Sequence, residues 1–254
     1  MCAGSRVAFD LRPMKLRIAQ PMMLRTALSI FTIAAAALAE APKPPSTVTR
    51  AECIATAEGY RTFQWTPTAA NILHGPDRDG IRVDTPDASY QPKTGLAGWW
   101  KPGALGTSMP YKWGGFDTPE IFLAGLAVGK AAGDVATPEK RKLLDADVSK
   151  LAVGIDCSGF ISRCWNLPRA YSTRTITELC DPVPNFKELK PGDILNTYNS
   201  HMFLFKKWIK DDRSRMLVYT TGTKPIWGVQ VGPVFTRQMA PLGFKAWRYR
   251  GMRD

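Results

Sequence analysis

The stretch Gly154-Ile155-Asp156-Cys157-Ser158-Gly159-Phe160-Ile161-Ser162-Arg163-Cys164-Trp165 constrains this chain more than any other. It reads as a turn that opens into a helix. Asp156 has the chemistry of an N-cap, and Phe160, Ile161, Cys164 and Trp165 recur at helical spacing. Cys157 then falls at the helix start, where unpaired N–H groups and the positive end of the helix dipole favour thiolate over thiol. Thiolate is the reactive form. A lone cysteine says little, since most are small buried hydrophobes. What raises this one is its company downstream. Leu189-Lys190-Pro191-Gly192-Asp193-Ile194-Leu195 is a turn feeding a strand, and His201-Met202-Phe203-Leu204-Phe205 is a second strand that starts on a histidine.

The pattern around this stretch predicts an α+β chain. Residues 46–73 read as one helical unit, capped by Ser46, Thr47 or Thr49 and ending near Trp65-Thr66-Pro67, with a short second helix from Ala69 to Leu73. Residues 75–110 are rich in Gly, Pro, Asp and Lys and read as loop. Thr118-Pro119-Glu120 and Thr137-Pro138-Glu139 each open a helix with proline at the first position, the second running through Leu143, Leu144, Val148 and Leu151 to Gly154. Strands are expected at 193–197, 201–209, 215–221, 227–231 and 244–249, spaced as an antiparallel meander.

Asp-Cys-Ser-Gly-Phe-Ile, then Leu-Lys-Pro-Gly-Asp-Ile, then His with an apolar strand resembles, in that order, the NlpC-type cysteine peptidases of bacterial cell walls. The upstream Pro110-Tyr111-Lys112-Trp113-Gly114-Gly115 resembles the family's Tyr-x-x-Gly-Gly lead-in, and residues 168–174 resemble a further stretch of it. The resemblance covers roughly residues 105–250. It implies a papain-like core, with the nucleophile helix packed on an antiparallel sheet of about five or six strands. It also implies Cys157 as nucleophile, His201 as general base and acid, and Tyr111 beside the sulfur, bonding oxyanion or substrate. The implied substrate is an amide bond in the peptide stem of peptidoglycan, with no cofactor.

Two departures stand out. The family usually reaches its cysteine by a short loop, whereas here residues 116–153 intervene as two helices able to wall the cleft. The family also places His, Asn or Gln on the strand after the base, and this strand, Arg215-Met216-Leu217-Val218-Tyr219-Thr220-Thr221, has none. Alignment puts Tyr219 at that third position, with Thr220 or a backbone carbonyl as alternatives. Donors to the oxyanion are expected from the N–H of Cys157 and from Ser158. Trp99, Trp100 and Trp113 are candidates to line a substrate cleft, against the more frequent role of tryptophan pairs as core plugs.

Composition bounds the partners. The chain of 254 residues carries a net charge of +12, which suits peptidoglycan, an anionic wall polymer or a membrane surface. The Lys and Arg are dispersed, which argues against nucleic acid. Residues 24–39, a basic residue then an apolar run ending Ala37-Leu38-Ala39, read as an export signal, followed by the Pro/Lys linker 41–45. The run is short for a membrane span, so no stable insertion is expected after cleavage and the mature protein is expected outside a bacterial cytoplasm, periplasmic or extracellular. The resulting division is 1–39 signal, 40–104 linker, helix and loops, and 105–254 catalytic domain. Export permits disulfides, with Cys164–Cys180 the pairing considered. With two histidines and no Cys-x-x-Cys, no metal site is expected. Gly125–Lys130 lacks the spacing and the hydroxyl of a phosphate loop. Alternatives are a Cys–His amidase or acyltransferase on another acyl substrate, and a non-catalytic wall-binding module.

Overall fold

Thr49 starts the first helix. Its hydroxyl accepts the Glu52 N–H at 3.2 Å while the Glu52 carboxylate accepts the Thr49 N–H at 2.8 Å, a reciprocal capping box. Helix α1 then runs Arg50–Thr62 in the computed structural model, which describes residues 44–254 as parts of one compact unit. The stretch expected to be an export signal and most of the linker, 1–43, lie outside the described residues. Helix α1 does not belong to a peripheral appendage: Cys53, Ala57 and Tyr60 are buried, and Tyr60 meets Phe160 edge-on at 5.9 Å. The boundary expected at 104/105 therefore separates two stretches that share one core. The helical unit expected to continue toward Pro67 stops at Thr62. A single 3-10 turn, Ala69–Asn71, stands where the short second helix was expected.

Two helices follow, α2 (Pro119–Ala127) and α3 (Pro138–Leu143), each with a threonine N-cap and proline in the first turn. The second ends far short of Gly154. Leu144 turns into the left-handed region (φ 53°) and a 3-10 turn, Leu144–Asp147, takes over. The cause lies in Lys140, whose ammonium is drawn into the interior. It sits 2.9 Å from Asp134 Oδ2 and donates to the Arg82 carbonyl at 2.6 Å and the Asp147 carbonyl at 3.2 Å. A buried cation needs such a full set of partners, and holding them bends the chain back at Leu144. Helix α4 spans Cys157–Cys164.

Six strands form one antiparallel sheet: β1 (Cys180–Val183), β2 (Ile194–Thr197), β3 (His201–Trp208), β4 (Arg215–Thr223), β5 (Ile226–Phe235) and β6 (Lys245–Tyr249), in the order β5-β4-β3-β2-β6-β1. The meander holds from β2 to β5. The last strand then returns to pair with β2, and β1, a strand not expected from the sequence, joins beyond it. Alternation sorts the side chains. Met202, Leu204 and Tyr219 share a core with Phe160 and Ile161 of α4, while Phe205, Val218 and Met216 join Leu195 and Ala246 in a second core on the other face. Burying both faces, at about 1.5–3 kcal/mol per large apolar side chain, holds the register and with it the position of His201 at the start of β3. Among the described residues no helix is long and apolar enough to cross a membrane.

Candidate active site

Cys157 is set by the cap before it. Asp156 Oδ1 accepts the Gly159 N–H at 2.6 Å and the Ser158 hydroxyl at 2.7 Å. The chain from Pro110 to Gly115 crosses this helix start: Ile155 N–H donates to the Pro110 carbonyl (3.0 Å), Lys112 N–H to Ile155 (3.2 Å) and Asp156 N–H to Gly115 (3.2 Å). The crossing is so close that a Cβ on Gly159 would stand 1.9 Å from the Gly115 oxygen, so only glycine fits. Tyr111 is held likewise: its Cδ2 lies 2.4 Å from where a Cβ on Gly222 would be, and Gly222 has φ 74°. The two motifs separated by the insertion are thus one structural unit.

A cavity of about 100 Å³ opens here, lined by Cys157, Ser158, Tyr111, Trp113 and His201. His201 Nε2 lies 2.7 Å from Thr220 Oγ1. Nδ1 has no hydrogen-bond partner among the described residues. If Thr220 accepts from Nε2–H, Nδ1 keeps its lone pair and is the nitrogen free to take a proton. The main-chain N–H groups of Met202 and Ser158 are directed at the sulfur and favour its thiolate. The sulfur therefore sits at the beginning of β3, beside the residue that follows His201.

Burial nonetheless decides the resting charges. It pushes the Cys157 thiol up to about 12, with the Asp156 carboxylate adding to the rise, against the smaller pull of the N–H groups. It pushes His201 down to about 4, and the positive charge of Arg141 adds to that fall. The helix start alone was expected to favour thiolate. Removing the sulfur from water outweighs it, and thiol and imidazole are both neutral at pH 7. Tyr111, also buried, has its hydroxyl pushed well above its usual value, first by burial and then by the negative charge of Asp156.

Not every expected residue is here. Tyr219, aligned as third member, points to the opposite face of β4, donates its hydroxyl to Glu58 Oε2 at 2.7 Å and packs beside Phe160. Thr220 takes the place beside His201, because neighbours on a strand point opposite ways. Trp100 is buried, edge-on to Trp65 at 5.6 Å. Trp99 donates Nε1–H to the Trp227 carbonyl at 3.0 Å and meets the same Trp65 at 6.0 Å. Neither lines this cavity, and both pack against Trp65. Trp113 does line it, with Nε1–H bonded to the Leu144 carbonyl at 3.1 Å.

Cys53, Cys157, Cys164 and Cys180 are all free and buried. Cys164 has Cys53 of α1 as its neighbouring thiol, while Cys180 Sγ–H donates to the Ile176 carbonyl at 3.3 Å, so the Cys164–Cys180 pairing is not formed. No group of three or more His, Cys, Asp or Glu able to hold a metal occurs among the described residues.

Sequence reasoning missed two residues of the site, and it held Thr220, one step away in register, only as an alternative to Tyr219. Arg141 and Arg174 line the cavity but carry no motif. A cation placed directly after the buried Lys140 was the only available signal for the first. No protein-family model, curated protein or solved structure matches the chain.

Proposed function

We propose that the protein is a cysteine hydrolase of papain-like, NlpC-type architecture, exported, that cleaves an amide bond in the peptide stem of peptidoglycan. The observation carrying this reading is that Cys157, at a helix start, and His201, at a strand start with Nε2 held by Thr220, line one cavity beneath Tyr111. The neutral resting pair dictates how the step runs. As Sγ attacks the carbonyl carbon, its proton passes to Nδ1 of His201. The C–N bond then breaks and the imidazolium gives that proton to the leaving amine. Water, deprotonated by the same nitrogen, releases the acid from the thioester. The Cys157 N–H and the Tyr111 hydroxyl are the donors for the oxyanion, since the Ser158 hydroxyl is held by Asp156 and its N–H by the sulfur. Thr220 orients the imidazole without a charge to stabilise imidazolium, which fits a slower enzyme than one with a carboxylate there.

The test is mass spectrometry of purified peptidoglycan after incubation with the protein, its Cys157→Ala variant and its His201→Ala variant. New amine termini with the parent chain, absent with both variants, support the reading; equal digestion by the His201 variant removes it. One observation favours a second reading. A thiol held near 12 suits a non-catalytic wall-binding module, and that reading gains if the parent binds peptidoglycan in a pull-down and releases nothing.

A further inference from the structure

Two arginines, Arg141 and Arg174, stand on the rim of this cavity. Many arginines are tied to the protein itself: Arg50 to Asp193, Arg82 to Asp84, Arg248 to Asp193, and Arg163 to the Phe116 carbonyl. Arg141 and Arg174 line the cavity, and neither guanidinium has a carboxylate or carbonyl partner among the described residues. Arg141 is held in place all the same. It follows the buried Lys140 on α3, and its guanidinium lies 5.8 Å from the centre of the Trp113 ring. That indole is tied to the insertion through Leu144. Its positive charge also acts on His201, lowering the imidazole further. Arg174 approaches from the segment after α4, beside Ser172 and Thr173 of the same lining. Two planar, fixed-charge forks with nothing to hold, beside a nucleophile, match the bidentate geometry of a carboxylate.

We propose that Arg141 and Arg174 select a substrate with a free carboxylate close to the scissile amide, so the inserted residues 116–153 supply part of the specificity. The proposal deepens the hydrolase reading and rests on it for the word substrate; the binding it describes does not need turnover. Asp145 on the same rim narrows the ligand. Its negative charge opposes a polyanion and leaves room for a single carboxylate on a peptide, so a phosphate-rich wall polymer is the disfavoured occupant.

The experiment uses two probes, a synthetic peptidoglycan stem tetrapeptide with its carboxylates free and the same peptide with them amidated. Calorimetry on Cys157→Ala reads binding alone, and kinetics on the catalytically intact protein read kcat and KM. The free-carboxylate peptide is expected to bind roughly tenfold or more tightly, the value of one charge-assisted hydrogen bond. Arg141→Gln and Arg174→Gln, each checked for native circular dichroism, are expected to raise KM for that peptide more than they lower kcat. They should also bring the ratio between the two peptides toward one. Equal binding of both peptides by Cys157→Ala, no detectable binding of either, or an undiminished ratio in both arginine variants overturns the proposal. Hydrolysis with equal rates on both peptides overturns it while leaving the hydrolase reading standing. Discriminating binding without hydrolysis supports it and removes only that reading.

Discussion

The floor and the rim of the cleft are built on opposite terms. On the floor, Cys157 and His201 are drawn out of water and lose their charges, with the thiol pushed up to about 12 and the imidazole down to about 4. On the rim stand Arg141, Arg174 and Asp145, for which no ion pair forms among the described residues. The difference teaches a division of labour. On the proposed reading, a desolvated floor supplies a nucleophile that becomes active as its proton moves, and a charged rim supplies attraction for what must arrive there. The floor is made by close packing of α4 on the sheet. Arg141 and Asp145 of the rim are hung on one buried lysine, Lys140.

The largest expected effect breaks the floor. Cys157→Ala and His201→Ala should each lower the rate of stem-peptide hydrolysis by roughly 10³-fold or more, as removal of a nucleophile or its base does, read by release of new amine termini. A variant keeping a tenth of the parent rate would show that the chemistry lies elsewhere.

The next breaks the support of the rim. Lys140→Met leaves Asp134 buried beside an apolar chain, at a cost of about 3–5 kcal/mol, measured as a lower urea midpoint. An unchanged midpoint would mean that α3 is held by something other than this pair.

Acid sharpens the contrast between the two regions. The folded His201 value, about 4, lies below its unfolded value of 6.5. Between those values the unfolded chain binds the proton first. The contribution of His201 to stability is therefore intact above pH 6.5 and is lost as pH falls toward 4. For activity, the acid limb of kcat/KM should fall near pH 4, about tenfold per unit below it, while the arginines stay charged throughout. A limb near 6.5 would show that the imidazole is solvated in the working enzyme.

The smallest effects separate two neighbours on β4. Thr220→Val removes the partner of His201 Nε2 and should slow hydrolysis by about tenfold through loss of one oriented hydrogen bond. Tyr219→Phe removes only the bond to Glu58, about 1 kcal/mol of stability by urea denaturation, and should leave the rate nearly intact. The reverse ranking would return the third position to Tyr219.

That pair shows where sequence reading stops. Five of the six sheet strands, β2 to β6, their boundaries within a few residues and the histidine at the start of β3 were legible, because alternation and turn residues are local signals. Which of Tyr219 and Thr220 faces the imidazole was not, since it depends on a register set by β3 against β4 and by the packing of both faces. The same holds for the cysteines. Spacing drew attention to Cys164 and Cys180, but the packing of α1 on α4 puts Cys53 beside Cys164 instead. The second inserted helix looked continuous to Gly154 because its apolar residues recur at helical spacing, and no local rule foretells that Lys140 turns inward.

By itself, then, the chain determined the caps at Thr49, Thr118, Thr137 and Asp156, the alternating strands, and the two residue types that a thiol hydrolase needs, because each is a matter of neighbours a few residues apart. Only the tertiary structure decided the charge states of Cys157 and His201, the partner of the imidazole and the two arginines on the rim. Those depend on how much water is excluded and on which distant groups meet, and both arise only when the helices close on the sheet.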